Sequence, residues 1–249
     1  MTRAEREQAV TGRMEALFPA WEEQFSRQLV TYYEMLADWN TRMNLTGDTD
    51  FEVILAGHFE DSLAPLQIGG LFPTGAALID VGSGAGFPGL PIAIARPDMK
   101  VTLLDSLAKR VGFLKAVSQE LGLANVECIH ARAEEGAKSP ALRETFDIAV
   151  ARAVAPISVL CELLLPFVGI GGRMICYKGP AAAQEQAAGA RTAALLGGGE
   201  MEVHEVNLPS RPDWGHRVVV SQKKEKTASQ YPRKPGTPAR SPLGEEPGH

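Results

Sequence analysis

The 249-residue chain is poor in cysteine, lacks long apolar runs and carries no overall excess of positive charge. Its three cysteines, Cys128, Cys161 and Cys176, form no Cys-x-x-Cys pair and leave an odd count. That excludes a disulfide frame and a cysteine zinc site, and reads as reduced thiols in a cytosol. The most apolar stretch, Ala155 to Gly172, is broken by Glu162 and Pro166, so no membrane span of ~20 residues is expected. The opening MTRAEREQAV has no apolar h-region, so no secretory signal is expected either. A soluble, cytoplasmic globular protein is the class that remains. Its length suits one large domain or a core with an appendage, enough to bury a core without disulfides or metals.

The net charge of −5 argues against a body coated in nucleic-acid-binding charge, but it hides an asymmetry. Lys223, Lys224, Lys226, Arg233, Lys234 and Arg240 face only Glu225 between Ser221 and Leu243, a local +5. A basic arm on an acidic body has phosphate as its usual partner; a solvated tail is the alternative.

Three parts follow along the chain. Residues 1–70 read as a helical extension packed on the core. Trp21, Phe25, Leu29, Tyr32, Leu36 and Trp39 recur three to four apart as one amphipathic stripe, with Pro19 dividing the helix from a short preceding turn. A polar loop (Asn40 to Asp50) and a second helical stretch from Phe51 to about His58 complete it. Residues 71–222 switch to a β/α rhythm. Strands are predicted at Ala76–Val81, Val101–Asp105, Val126–Ile129, Phe146–Ala151 and Arg173–Tyr177, with helices between them. Ser106 is placed to cap the helix bearing Leu107, Val111, Leu114, Val117 and Leu121. Glu202–Leu208 and Arg217–Ser221 follow each other too closely for a crossover helix and pair as an antiparallel hairpin. The prediction is an α/β, doubly wound, Rossmann-like sheet with a reversed edge strand. Residues 223–249, rich in Pro and Gly, read as an irregular basic arm.

The chemistry sits in IDVGSGAGFPG, Ile79 to Gly89. A glycine turn between a first strand and a helix lets a ligand approach the backbone closely. Gly84, Gly86 and Gly89 satisfy GxGxxG, and Asp105 lies where a ribose-binding carboxylate belongs, so an NAD-dependent oxidoreductase is one reading. Charge favours another. Asp80 stands at the strand end, and Pro88 and Pro91 remove amides that a pyrophosphate needs. S-adenosylmethionine (AdoMet) brings a sulfonium and an ammonium that a carboxylate favours, and a methyltransferase sheet ends in a reversed strand. Asp80 also reads as a cap for the loop amides, and Asp105 as a helix-start residue. The cysteines read as core, and His58 and His216 as capping or packing residues. No metal site is expected.

Longer stretches are similar to the RsmG family (glucose-inhibited division protein B), the bacterial class I methyltransferases of 16S rRNA. They are WNTRMNLTG (Trp39–Gly47), HFEDSL (His58–Leu63), LIDVGSGAGFPGLPIAI (Leu78–Ile94), LLDSLAKRVGFL (Leu103–Leu114), ARAEE (Ala131–Glu135), VARAVAP (Val150–Pro156) and YPRKPGTPARSPL (Tyr231–Leu243). The resemblance implies AdoMet as cofactor, guanine N7 as methyl acceptor, and 16S rRNA or the small ribosomal subunit as partner. It implies methionine-side contacts at Gly82 and Phe87, in the loop with Asp80, Gly84 and Gly86. Asp105, Ser106 and Leu107 would form the ribose site, Ala133 and Glu134 the adenine border, and Arg152 the mouth of the active site. There it would orient the target base through a phosphate or O6, or contact the cofactor carboxylate; a strand-end salt bridge is the alternative. Where the family often has serine before that arginine, this chain has Ala151, so no hydroxyl role is assigned there. The six basic arm residues would hold RNA phosphates, Tyr231 would stack on a base or pin the arm, and the protein would act as a monomer. A small-molecule methyltransferase and a non-catalytic AdoMet-binding scaffold stay open beside the oxidoreductase.

Overall fold

The computed structural model describes residues 1–152 and 155–245. Ala153 and Val154, in the VARAVAP stretch, and the last four residues of the arm lie outside the described residues. Two helices open the chain, α1 (Arg3–Glu15) and α2 (Glu23–Asn40). Where the sequence reading has only a short turn before Pro19, the structure has a helix of 13 residues. Its start is a capping box: the Glu5 amide donates to Thr2 Oγ1 at 3.2 Å, and the Thr2 amide donates to Glu5 Oε2 at 2.7 Å. Two otherwise orphaned donors are thereby satisfied. The predicted stripe holds on α2, which buries Phe25, Leu29, Tyr32 and Leu36; Trp21 precedes the helix and is half-buried, as is Trp39.

A continuous helical run follows, from α3 (Phe51–Ile54) through a π-helical turn at Leu55–Glu60 into α4 (Asp61–Leu63). Such turns re-aim side chains and recur at functional sites. Then come β1 (Ala77–Val81), α5 (Gly89–Ala95), β2 (Lys100–Asp105), α6 (Ala108–Glu120), β3 (Val126–His130), α7 (Ala133–Gly136) and β4 (Phe146–Arg152). The series continues with α8 (Ile157–Leu164), β5 (Val168–Lys178), α9 (Ala182–Leu195), β6 (Gly198–Glu205), β7 (Arg217–Lys223) and α10 (Thr237–Arg240).

The seven strands form one sheet in the order β3-β2-β1-β4-β5-β7-β6, parallel from β3 to β5, with β7 antiparallel to both β5 and β6. The hairpin is as predicted, but its reversed strand is not the edge. β7 lies inside because Val218, Val219 and Val220 are all buried, while β6 buries only Met201; a strand apolar on both faces needs cover on both. Alternation divides the core by face. Leu78, Leu103 and Val150 pack with Leu29, Tyr32 and Phe59 of the N-terminal helices. Ile79, Val81, Leu104 and Ala151 pack with Leu160 and Leu164 of α8. Adjacent β1 and β4 are not consecutive, so a crevice opens at their carboxyl ends, where ligands bind in open α/β sheets. Among the described residues no helix is long and apolar enough to cross a membrane.

Two local expectations change. Ser106 does not cap α6: the helix begins at Ala108, which puts the N-cap position on Leu107, and no side chain caps the first turn; the Leu107 amide donates to Asp105 Oδ1 at 2.8 Å. The arm is also not loose. Arg143 donates to the carbonyls of Thr227, Ala228 and Tyr231, and Arg233 grips the buried Glu162.

Candidate active site

The turn after β1 combines bare backbone with a buried charge. Gly82 has φ +77, a left-handed conformation that side chains resist, and a Cβ there would meet nothing within 4 Å. Open space therefore borders the backbone at this point. Gly89 is glycine for a different reason: a Cβ would lie 2.7 Å from Asp80 Oδ2, so its absence lets α5 dock on the carboxylate. The Gly89 amide donates to that oxygen at 2.9 Å, which makes Asp80 a cap as well. The other oxygen, Oδ1, is buried without a hydrogen-bond partner. Burial pushes the Asp80 carboxyl up to about 7, opposed by the Gly89 amide and the charge of Arg152. An ionised carboxylate left short of donors in a dry site favours a cation beside it.

Asp105 ends β2 almost fully buried. Its Oδ1 takes the Leu107 amide and its Oδ2 takes the Gly84 amide at 2.8 Å, so it ties the glycine turn to the start of α6. A cavity of about 260 Å³ opens above these strand ends, with Gly82, Ser106, Ala133, Glu134 and Ala151 on its wall. Leu107, further out, is exposed. The arm completes this cavity: Ala239 lines it, and the Gly236 amide donates to Glu134 Oε1 at 2.8 Å. Gly86 is packed beneath Leu90 and the Tyr32 hydroxyl, which donates to the Ala85 carbonyl.

Arg152, at the end of β4, organises a second group. Its Nη1 donates to Asp61 Oδ2 at 3.0 Å and to the Gly57 carbonyl at 3.1 Å, and its Nη2 donates to His58 Nδ1. The guanidinium lies 5.0 Å from the Phe87 ring centre, and Phe87 is stacked on His58 at 4.6 Å. Because Nδ1 accepts, His58 is neutral with its proton on Nε2. Burial, then the Arg152 charge, push its pKa down to about 4, with Asp61 opposing. His216 Nδ1 donates to Asp61 Oδ1 at 2.6 Å, and its ring is stacked with Trp214 at 5.0 Å. These groups border a cavity of about 600 Å³ that also reaches Tyr177, Lys178 and Glu185. Ala155 lines both cavities, which are therefore neighbours.

The sequence reading missed Asp61, Lys178 and Glu185, and assigned His58 and His216 to capping or packing. Both histidines do pack, and both also line the larger cavity. The signal for Asp61 was the charge in HFEDSL within an apolar helical stretch; nothing local pointed to Lys178 or Glu185.

The basic residues divide. Lys224, Lys226, Lys234 and Arg240 are exposed. Lys223 is corrected: it is fully buried, donates to the Leu165 carbonyl at 2.6 Å and to Thr227 Oγ1, and pairs with Glu144 at 3.3 Å, out of reach of any phosphate. Its surroundings lower its pKa to about 8, burial being the main cause. Arg233 is likewise taken up by Glu162, at 2.7 Å. Cys161 and Cys176 are core residues whose thiols burial pushes up, Cys176 to about 12.

A parallel sheet closed by an antiparallel β7, a glycine turn after β1 and an acid at the end of β2 define the class I methyltransferase fold. A solved SAM-dependent O-methyltransferase from Thermotoga maritima shares it, with a TM-score of 0.53 over 78% of this chain and 72% of that one, at 17% identity. The rRNA small subunit methyltransferase G (GidB) family model matches residues 25–212. The ribosomal RNA small subunit methyltransferase G of Alkaliphilus metalliredigens is 48% identical over 217 residues, 87% of this chain and 90% of the relative. That of Clostridium beijerinckii is 46% identical, covering 89% and 91%. The chain belongs to the rRNA small subunit methyltransferase G family.

Proposed function

We propose that this protein transfers a methyl group from AdoMet to N7 of one guanine in the decoding region of bacterial 16S rRNA, as a cytoplasmic monomer. The observation that carries the reading is the pair of adjoining cavities sharing Ala155, one at the glycine turn and one around Arg152. The first fits the cofactor: Gly82 leaves room at the backbone, and Asp80 keeps an unpartnered buried oxygen suited to a cationic methionine end. Gly82 and Phe87 would flank that end, with Asp80, Gly84 and Gly86 shaping the turn. Asp105 with Ser106 and Leu107 would hold the ribose, and Ala133 and Glu134 would border the adenine. The oxidoreductase reading is set aside, because a buried carboxylate at this turn disfavours a pyrophosphate.

When bound, AdoMet supplies an electrophilic methyl group on a sulfonium. Guanine N7 carries an in-plane lone pair and no proton, so this chain needs no general base. Its residues act by placement. Arg152 is fixed by Gly57, His58 and Asp61, so its charge stands at the mouth of the acceptor cavity without reorganisation on binding. A bidentate arginine grip on guanine uses O6 and N7. Reaction requires N7 open, so Arg152 is assigned to a phosphate or to O6 alone. Lys224, Lys226, Lys234 and Arg240 would hold backbone phosphates.

The test is methyl transfer from labelled AdoMet to small ribosomal subunits lacking the modification, followed by borohydride and aniline mapping. A single N7-methylguanine cleavage is expected. No transfer to subunits, immature particles or free rRNA, despite AdoMet binding, would overturn the reading.

A further inference from the structure

The acceptor cavity contains a second charged pair. Lys178 ends β5 one residue beyond Tyr177, which is in register with Arg152. Glu185 stands in the first turn of α9. Lys178 Nζ lies 2.7 Å from Glu185 Oε2 and donates to the Ala155 carbonyl at 3.1 Å. Glu185 Oε2 also accepts from the Ile157 amide at 2.8 Å, at the start of α8. One carboxylate oxygen is thus anchored twice, while Oε1 has no hydrogen-bond partner among the described residues. Asp61, the other carboxylate of this cavity, has both oxygens taken, by Arg152 and by His216. A base entering the cavity therefore meets one carboxylate oxygen that is held in place and open to a donor.

We propose that Glu185 reads the Watson–Crick edge of the acceptor guanine and is the residue that selects guanine in this cavity; the assignment rests on the proposed methyl transfer. Guanine presents N1–H and N2–H donors on that edge, which a carboxylate accepts as charge-assisted bonds. Adenine presents a lone pair at N1, which the same oxygen repels. The edge lies across the base from N7, so gripping it leaves the reacting lone pair free. Guanine O6 adjoins N1, as Lys178 adjoins Glu185, and the ammonium has a third N–H donor beyond the two given to Glu185 and Ala155. The Lys178 side chain is only 12% exposed and that of Glu185 27%, so the pair is partly withdrawn from water. A wrong base would leave Glu185 Oε1 unpaired, which is how a hydrogen-bonding site discriminates.

The test compares reconstituted small subunits carrying guanosine or inosine at the methylated position. Inosine keeps N7, O6 and N1–H and lacks only the N2 amino group. The wild-type protein is expected to prefer guanosine about ten- to a hundredfold in kcat/KM, the worth of a hydrogen bond to a charged group. In Glu185→Ala the two substrates are expected to fall within about threefold of each other, with AdoMet affinity by calorimetry unchanged. The ratio is internal to each variant, so a lower folded fraction cancels; Glu185→Gln, which keeps the side-chain volume, is expected to lose most of the preference as well. A guanosine preference that survives in both variants overturns the assignment. So does a wild-type protein indifferent to the N2 group. Equal loss on both substrates in both variants also overturns it, leaving Glu185 as a cap for α8. Failure of the wild-type protein to methylate the guanosine subunit overturns the underlying reaction instead.

Discussion

Acidification from pH 8 to pH 6 is expected to weaken AdoMet binding about tenfold through Asp80. Burial holds this carboxyl at about 7, so the protein without cofactor carries it largely protonated at pH 6 and largely ionised at pH 8. A cationic ligand beside it favours the ionised form and expels the proton. If only that form binds, the apparent Kd scales as 1 + 10^(pKa − pH), about elevenfold above its limit at pH 6 and about 1.1-fold at pH 8. Isothermal titration calorimetry in two buffers of different ionisation heat reads both the affinity and the released proton. Asp80→Asn should lose the pH dependence and bind at every pH more weakly than the wild-type protein does at pH 6. The same group works against folding as pH rises. Its unfolded value is 3.8 and its folded value about 7, so its contribution is complete below 3.8 and is lost as pH rises through 7. The loss is about 4 kcal/mol over roughly three pKa units. Asp80→Asn should therefore melt level with the wild-type protein near pH 4 and above it at pH 8. A flat wild-type affinity, or a slope that persists in Asp80→Asn, refutes the reasoning.

Arg152→Met removes a charge that helps to hold His58 at about 4, so the His58 titration followed by NMR should move up toward the ordinary range while rRNA methylation falls about a hundredfold or more. Unchanged turnover would remove Arg152 from the site. Arg233→Met leaves the buried Glu162 carboxylate without its partner and should cost about 3 kcal/mol in chemical denaturation; a loss well under 1 kcal/mol would show that the arm is not strapped there. Replacing Lys224, Lys226, Lys234 and Arg240 with glutamine should weaken rRNA binding about tenfold or more and flatten its salt dependence by up to about three units of log–log slope, with AdoMet affinity unchanged. Lys223→Met should instead lower the melting temperature with no change in that slope, since its ammonium serves Leu165 and Thr227 inside the protein.

The middle of the chain was the legible part, for a local reason. Parallel strands buried on both faces read as near-continuous apolar runs, as Leu103 to Leu104 and Ile148 to Ala151 do, and as Leu78 to Val81 does but for Asp80. The glycine turn was equally legible, because positive φ and close packing leave few alternatives to glycine at Gly82 and Gly89. Helix α1 was missed although its Thr2–Glu5 capping box is a sequence signal, since its apolar content, with only Val10 and Met14 buried, is too sparse to draw the eye. Ser106 looked like a cap by residue type, but the helix starts at Ala108, so the N-cap position falls on Leu107.

By itself the sequence determined the α/β class, the paired terminal strands, the glycine turn with Asp80 beneath it, and the acid at the end of β2. Each follows from interactions between residues close in the chain: periodicity, turn chemistry and strand-end placement. Only the tertiary structure decided what surrounds Arg152. His58 and Asp61 reach it from the π-helical run and His216 joins through Asp61 from the start of β7, across sequence separations that no local pattern encodes. It also decided that β7 lies inside the sheet, that Glu185 keeps one oxygen free, and that the basic arm is partly a strap. Burial made that last decision: Lys223 and Arg233 read as surface charge in the sequence, but once the chain folds their best partners are the Leu165 carbonyl and the Glu162 carboxylate, because a buried polar group left unpaired costs more than a solvated one.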